Sequence, residues 1–196
     1  VKRIIYIASL FLLLGVFGSC EKLQRKKEFF LNQEFKRYFK FGNQSSWSYV
    51  ENGGSLPVAS MELNALKEGI FDVGEAKQEF FSYELNGTGI KNMLLRAVAD
   101  EGKVNRLSLF VSDTSYKVVV ELSYLDGAFI PFKGRNDVLI EYESKEINGK
   151  TYSDVIEVQL NENEFYDKVF FAAQVGIIAI EEKSSRDLFL NSYILK

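Results

Sequence analysis

One thiol, a scatter of carboxylates and a complete lack of imidazole decide what chemistry this chain can perform. Its 196 residues contain a single cysteine, Cys20, and no histidine. Without imidazole, Ser-His-Asp and Cys-His catalysis and His-ligated zinc are excluded together. A pair of carboxylates around a glycosidic bond, or a serine activated by lysine, are the catalytic options left. Glu141, Glu143 and Glu157 alternate along strand-like runs, which is the pattern of charge facing solvent. Asp72, Asp100, Asp113 and Asp126 adjoin turn sequences, where aspartate bonds its own backbone, and none has the dense spacing of a calcium loop. Gly53-Gly54 and Gly87-x-Gly89 are isolated and read as turn residues, not as a phosphate cradle. The sequence therefore predicts a non-enzyme with no catalytic residue, no metal ligand and no cofactor.

Cys20 carries the positive signal. Lys2 and Arg3 precede an uncharged run from Ile4 to Ser19, the charged-then-apolar order of an export signal. The run is short of the roughly 18 to 20 residues needed to cross a bilayer, so a permanent span is disfavoured. The segment Val16-Phe17-Gly18-Ser19-Cys20 resembles the lipobox of bacterial lipoproteins, with Phe17 standing where leucine is usual. That resemblance implies cleavage before Cys20 and attachment of a diacylglyceryl group to its sulfur. The alternative is an ordinary signal peptide that leaves a free cysteine. Each buried methylene is worth about 0.8 kcal/mol, and stable anchoring takes two chains or more, which a modified N-terminal cysteine supplies.

Loss of residues 1–19 removes Lys2 and Arg3, leaving a formal charge of about −5, which argues against nucleic acid as a partner. The remaining chain suits one domain with one core. Aromatic groups should dominate that core, given 17 Phe, 10 Tyr and one Trp. With Cys20 acylated, no internal disulfide can form.

The predicted organisation is a signal peptide over 1–19, a lipid-anchored tether and short helix over 20–37, and a single antiparallel β domain over 38–196. Residues 21–28 are polar and net basic, and read either as a solvated tether or as a segment drawn to anionic headgroups. Phe29, Phe30, Phe35, Tyr38 and Phe39 follow at helical spacing. From Ser46 onward the period becomes two. Phe81, Tyr83 and Leu85 form one stripe, Leu107, Leu109 and Val111 another, and Tyr116, Val118, Val120, Leu122 and Tyr124 a longer one. Ile156, Val158 and Leu160 pair with a run at Val138–Glu143 across Asn148-Gly149, whose residues tolerate the positive φ of a type I′ turn. Asn86-Gly87, Glu101-Gly102 and Asp126-Gly127 punctuate the chain similarly, giving a meander of about eight to ten strands. Pro57 and Pro131 fall between strand candidates. Residues 57–79 fit either a strand, through Met61, Leu63 and Ala65, or a helical turn. Trp47 and Tyr49 read as core residues, with sugar or lipid stacking as the alternative. The fold class is mostly β: a curved antiparallel sheet or partial barrel with a short N-terminal helix.

Two further segments extend the resemblance. Tyr38-Phe39-Lys40-Phe41-Gly42 with Trp47-Ser48-Tyr49, and the tail Val169–Ala172, Val175–Ile178 and Leu188–Tyr193, look like the opening and ending of lipid-anchored lipoproteins of Bacteroidota-type envelopes. What this implies is an exported, anchored β domain of unassigned role, with no catalytic residues to carry over. The acidic run that follows the cysteine in surface-exposed members is absent, since Lys22 follows Glu21, so the periplasmic side of the outer membrane is favoured over the cell surface. The expected partners are membrane lipid through Cys20 and an apolar or amphipathic ligand or an envelope protein. A structural or adhesive accessory subunit is the alternative, and a carboxylate-dependent hydrolase ranks last.

Overall fold

The computed structural model describes residues 26–112 and 117–196. Cys20 with the rest of the leader, and Asp113 and Tyr116, lie outside the described residues. The described chain runs β1 (Lys27–Phe29), α1 (Gln33–Phe39), β2 (Ser46–Glu51), β3 (Ala59–Val73), β4 (Ala76–Thr88), β5 (Met93–Ala99), β6 (Asn105–Val111), β7 (Lys117–Leu125), β8 (Ala128–Pro131), β9 (Val138–Ile147), β10 (Lys150–Gln159), β11 (Tyr166–Ala172), β12 (Gly176–Glu182) and β13 (Asp187–Ile194). A single 3-10 turn at Glu101–Lys103 joins β5 to β6.

Two antiparallel meanders make one sheet. Strands β2 to β8 follow one another in space, as do β9 to β13, and β13 pairs with β2 to join the two halves. The free edges, β8 and β9, then face each other, so the sheet is nearly closed into a barrel. Across that seam the Phe129 amide donates to Glu141 Oε1 at 2.9 Å. Glu141 is exposed, and it ties a strand edge that would otherwise present unpaired donors.

The hairpin expected at Asn148-Gly149 forms between β9 and β10, with φ of 48° and 73° at the two turn residues. Asp126 and Gly127 turn β7 into β8 in the same way. Among the described residues thirteen strands form where eight to ten were expected; part of the excess is β1 and β8, which have only three and four residues and carry no readable period. Asn86-Gly87 is not a turn: it lies inside β4, paired with Glu62 and Met61 of β3. The ambiguous segment 57–79 resolves as β3. A bulge between Asn64 and Lys67, with Ala65 at φ 53°, supplies the local kink that resembles a helical turn in sequence. Pro131 ends edge strand β8 and does not lie between strands; an edge position tolerates its missing donor. In β7 a bulge buries both Val119 and Val120 and moves Val118 off the expected stripe.

A barrel of this many strands is too wide for its own side chains to meet, and α1 fills it. Asn32 caps the helix by accepting from the Glu34 amide. Phe35, Tyr38 and Phe39, three and four positions apart, form its buried face. Seven residues are too few to hold a helix alone in water, so packing supplies its stability. Phe39 meets Phe129 of β8 and Phe171 of β11 edge-on at 5.9 and 5.3 Å, and Phe35 lies against Tyr124 of β7. Tyr83 of β4 donates its hydroxyl to the Phe39 carbonyl at 2.7 Å, and Asn105 of β6 receives the Asn32 amide. The helix thus bridges strands on both sides of the seam, and the predicted boundary at 37/38 falls within it. Upstream, Lys27–Phe29 leaves any tether and runs parallel to β4.

Trp47 and Tyr49 are core residues. The Trp47 indole donates to the Val175 carbonyl at 2.5 Å and the Tyr49 hydroxyl to the Ile177 carbonyl at 3.0 Å. Gly176 sits against this pair at φ +92°, with the Phe41 and Trp47 rings 3.1 and 3.2 Å from where a Cβ would stand. Gly176→Ala is expected to cost about 2 kcal/mol, combining left-handed strain with overpacking. Urea unfolding measures it, and an unchanged midpoint would mean the rings shift freely.

Candidate functional site: an open cleft at one end of the barrel

The interior leaves little room. Tyr38, Phe39, Trp47, Met61, Tyr83 and Phe171 border a residual cavity of about 10 Å³, enough for one water at most. Larger space lies outside, at the end where the β9–β10 hairpin and β13 run past the short turn between β11 and β12. Lys150–Asp154 and Leu190–Tyr193 form the walls, Ala172–Val175 the floor, and Arg37 of α1 projects in, around a volume of about 840 Å³.

Each wall has a local cause. Asp154 adopts φ 51°, which breaks the alternation of β10, and its carbonyl receives the Ala173 amide. Asn191 sits at a register shift between β13 and β2. Lys150 donates to the Leu190 carbonyl at 3.4 Å and the Asn191 carbonyl at 2.5 Å, joining one wall to the other. The floor is tied to the helix by the Gln174 amide, which donates to the Arg37 carbonyl at 2.7 Å.

Arg37 donates to Glu34 at 2.5 Å and to Asp154 at 3.2 Å. The Glu34 hydrogen bond, with a smaller contribution from Asp154, raises the guanidinium pKa above its usual value. Burial, and then the neighbouring Tyr193 phenol, push the Tyr152 pKa up, so the Tyr152 hydroxyl stays a protonated donor at neutral pH. The cleft therefore offers two aromatic rings, the two cationic side chains Arg37 and Lys150, hydroxyls and amides. Asp154 is the one carboxylate among its lining residues, whereas glycoside hydrolysis by direct acid/base chemistry requires two.

The carboxylates singled out in the sequence do not converge here. Glu141 closes the seam, and Glu143 is exposed on β9. Glu157 corrects the expectation of a solvent-facing charge: it is 4% exposed. Lys145 donates to it at 2.6 Å, Tyr142 at 2.9 Å and Gln159 at 2.8 Å. Burial pushes the Glu157 carboxyl up, but these three donors outweigh it and hold the pKa below the ordinary value. The group is saturated with partners and faces no cleft, so it acts as a buried tie.

Sequence reasoning missed Arg37, Lys150, Tyr152 and Tyr193. They come from three distant segments and meet only because one hairpin is shorter than its neighbours, which no local pattern announces. The fold and cleft define a class, an antiparallel near-barrel plugged by its own helix with an external polar cleft. Comparison with protein-family models, curated proteins and solved structures returned no match for this chain.

Proposed function

We propose that this chain is a lipid-anchored protein of the cell envelope, fastened through Cys20, that binds a partner protein without catalysis. The periplasmic face of the outer membrane is the favoured site. The observation that carries the choice of partner is the filled barrel: about 10 Å³ remains among the aromatic side chains, against about 840 Å³ in the open polar cleft. An apolar ligand needs a concave apolar pocket of several hundred Å³, so this geometry supports a partner protein over an enclosed apolar ligand. No helix among the described residues is long and apolar enough to cross a membrane. The resemblance of Val16–Cys20 to a lipobox supports acylation as the means of attachment.

Tyrosine at an interface supplies large contact area at low entropic cost together with a hydroxyl, and Tyr193 is 46% exposed at the rim. A photo-crosslinking residue in place of Tyr193, in the full-length protein in its own cells, should capture a discrete partner. The same residue at Ile130, on the far strand β8, should not. Equal capture from both positions, or from neither, would contradict a binding role for the cleft. An accessory subunit of a larger envelope complex remains the alternative, and co-purification of several stoichiometric subunits would favour it.

A further inference from the structure

We propose that the projecting end of the β3–β4 hairpin is a second membrane contact, seated in the boundary between headgroups and acyl chains of the bilayer that holds Cys20. The inference rests on the acylation just proposed, and adds a surface to it.

The ladder between β2 and β3 ends at Glu62, whereas β3 continues to Val73. Beyond Leu66 it borders β4 alone, and β4 gains its next long neighbour, β5, only at Phe80. Residues 67–79 therefore form a two-stranded tongue, flanked by the three residues of β1. Its base is tied to the barrel by Gln78, which donates to Asp100 at 3.5 Å, and to the helix by Lys36, which pairs with Glu79 at 2.7 Å. Its exposed tip spans 70–75. Ala76 is buried, but the other apolar residues toward the tip are largely uncovered. Ile70 is 54% exposed, Phe71 37% and Val73 45%, and Phe30 just after β1 is 58% exposed. Successive strand residues point to opposite faces, so Ile70 lies on one face and Phe71 and Val73 on the other. Phe80 braces Phe71 edge-on at 5.3 Å. The tip presents apolar side chains on both faces, Ile70 lying among Glu68, Asp72 and Lys77, and such a mixture of apolar and charged groups suits the boundary between headgroups and acyl chains.

The covalent chain brings the membrane to this place. Lys27 donates its amide to the Glu75 carbonyl at 3.1 Å, and Lys26 pairs with Asp72 at 3.1 Å. The chain thus leaves the barrel beside the very turn that ends the tongue. Cys20 lies six residues before Lys26, and six extended residues span at most about 20 Å. An acylated Cys20 keeps the tip within that distance of the bilayer. The tongue, 67–79, holds four acidic and two basic side chains, and the adjoining segment 21–28 two acidic and four basic, so the two together are neutral. Apolar burial therefore drives the contact, and salt should change it little.

The test uses the acylated protein in vesicles of equal parts phosphatidylethanolamine and phosphatidylglycerol. With Cys20 blocked by lipid, Phe71→Cys introduces one free thiol for an environment-sensitive fluorophore, and Asn191→Cys in the cleft serves as control. Lipids spin-labelled near the top of the acyl chain should quench the label at 71 by about threefold or more, in high salt as in low, and leave the label at 191 unchanged. Water-like, unquenched emission at 71 would overturn the proposal. So would a blue shift insensitive to the lipid quencher, which would report a protein neighbour such as a second copy. The mass of the same preparation reports acylation separately. If Cys20 proves unmodified, its thiol is removed by Cys20→Ser and the label at 71 is read on that chain with added vesicles: quenching retains the tongue as a membrane contact, and its absence overturns it.

Discussion

Lys145→Met is expected to destabilise the protein by about 3 kcal/mol, because it strands a buried carboxylate. Glu157 and Lys145 are 6% and 24% exposed at their side chains, and the lysine also lies over the Tyr142 ring, 3.8 Å from its centroid. With the lysine gone, Tyr142 and Gln159 still donate, but neither carries charge to offset desolvation. Converting both partners together, Lys145→Met with Glu157→Leu, should recover most of the loss, since a buried pair replaced by apolar groups is often near neutral. Chemical denaturation of the two single variants and the double variant gives the coupling directly. If the single and double variants lose stability equally, the pair is not the tie described.

The same network fixes a pH dependence. The Glu157 carboxyl is held below its ordinary value when folded, so between its folded and unfolded pKa values the unfolded chain binds more protons. The associated stability is complete above about pH 4.3, the unfolded value, and is lost as the pH falls through the folded value. Burial lowers the Lys145 pKa, yet its bonds to Glu157 and Tyr142 outweigh that and raise it. Its contribution is complete below about pH 10.4 and is lost as the pH rises through the folded value. Glu157→Gln should flatten the acid limb of the stability profile; an unchanged limb would place the acid sensitivity elsewhere.

Phe39→Ala should cost about 3–5 kcal/mol, the range for deleting a buried ring. Phe39 is 1% exposed and contacts Phe35, Tyr38, Phe129 and Phe171, so its loss opens a hole where α1 joins both sides of the seam. For a domain of this size the thermal midpoint should fall by about 10 °C. The vacated site is lined by aromatic groups and should stay dry, as engineered apolar cavities do, and added benzene should restore part of the midpoint. A variant as stable as the parent would show that the helix is not a structural plug.

Much of the sheet was legible because its strands are half-buried and so keep period two: β5 and β6 alternate almost without exception. Asn148-Gly149 was legible through its conformational preference. The helix was legible from Phe35, Tyr38 and Phe39, but its position inside the barrel was not, since an apolar stripe does not name what it meets. Glu157 was misread for a related reason. β10 to β12 are buried on both faces over much of their length, so an alternating charge there points into cover supplied by Lys145, Tyr142 and Gln159 and not into water. The cleft had no local signature at all.

The most direct measurement is the intact mass of the protein extracted from the membrane fraction of its own cells, together with the mass of its N-terminal peptide. Attachment through Cys20 predicts a chain that starts at this residue and carries a diacylglyceryl group on sulfur. Recovery of the uncleaved chain from the soluble fraction, its thiol free, would contradict the account.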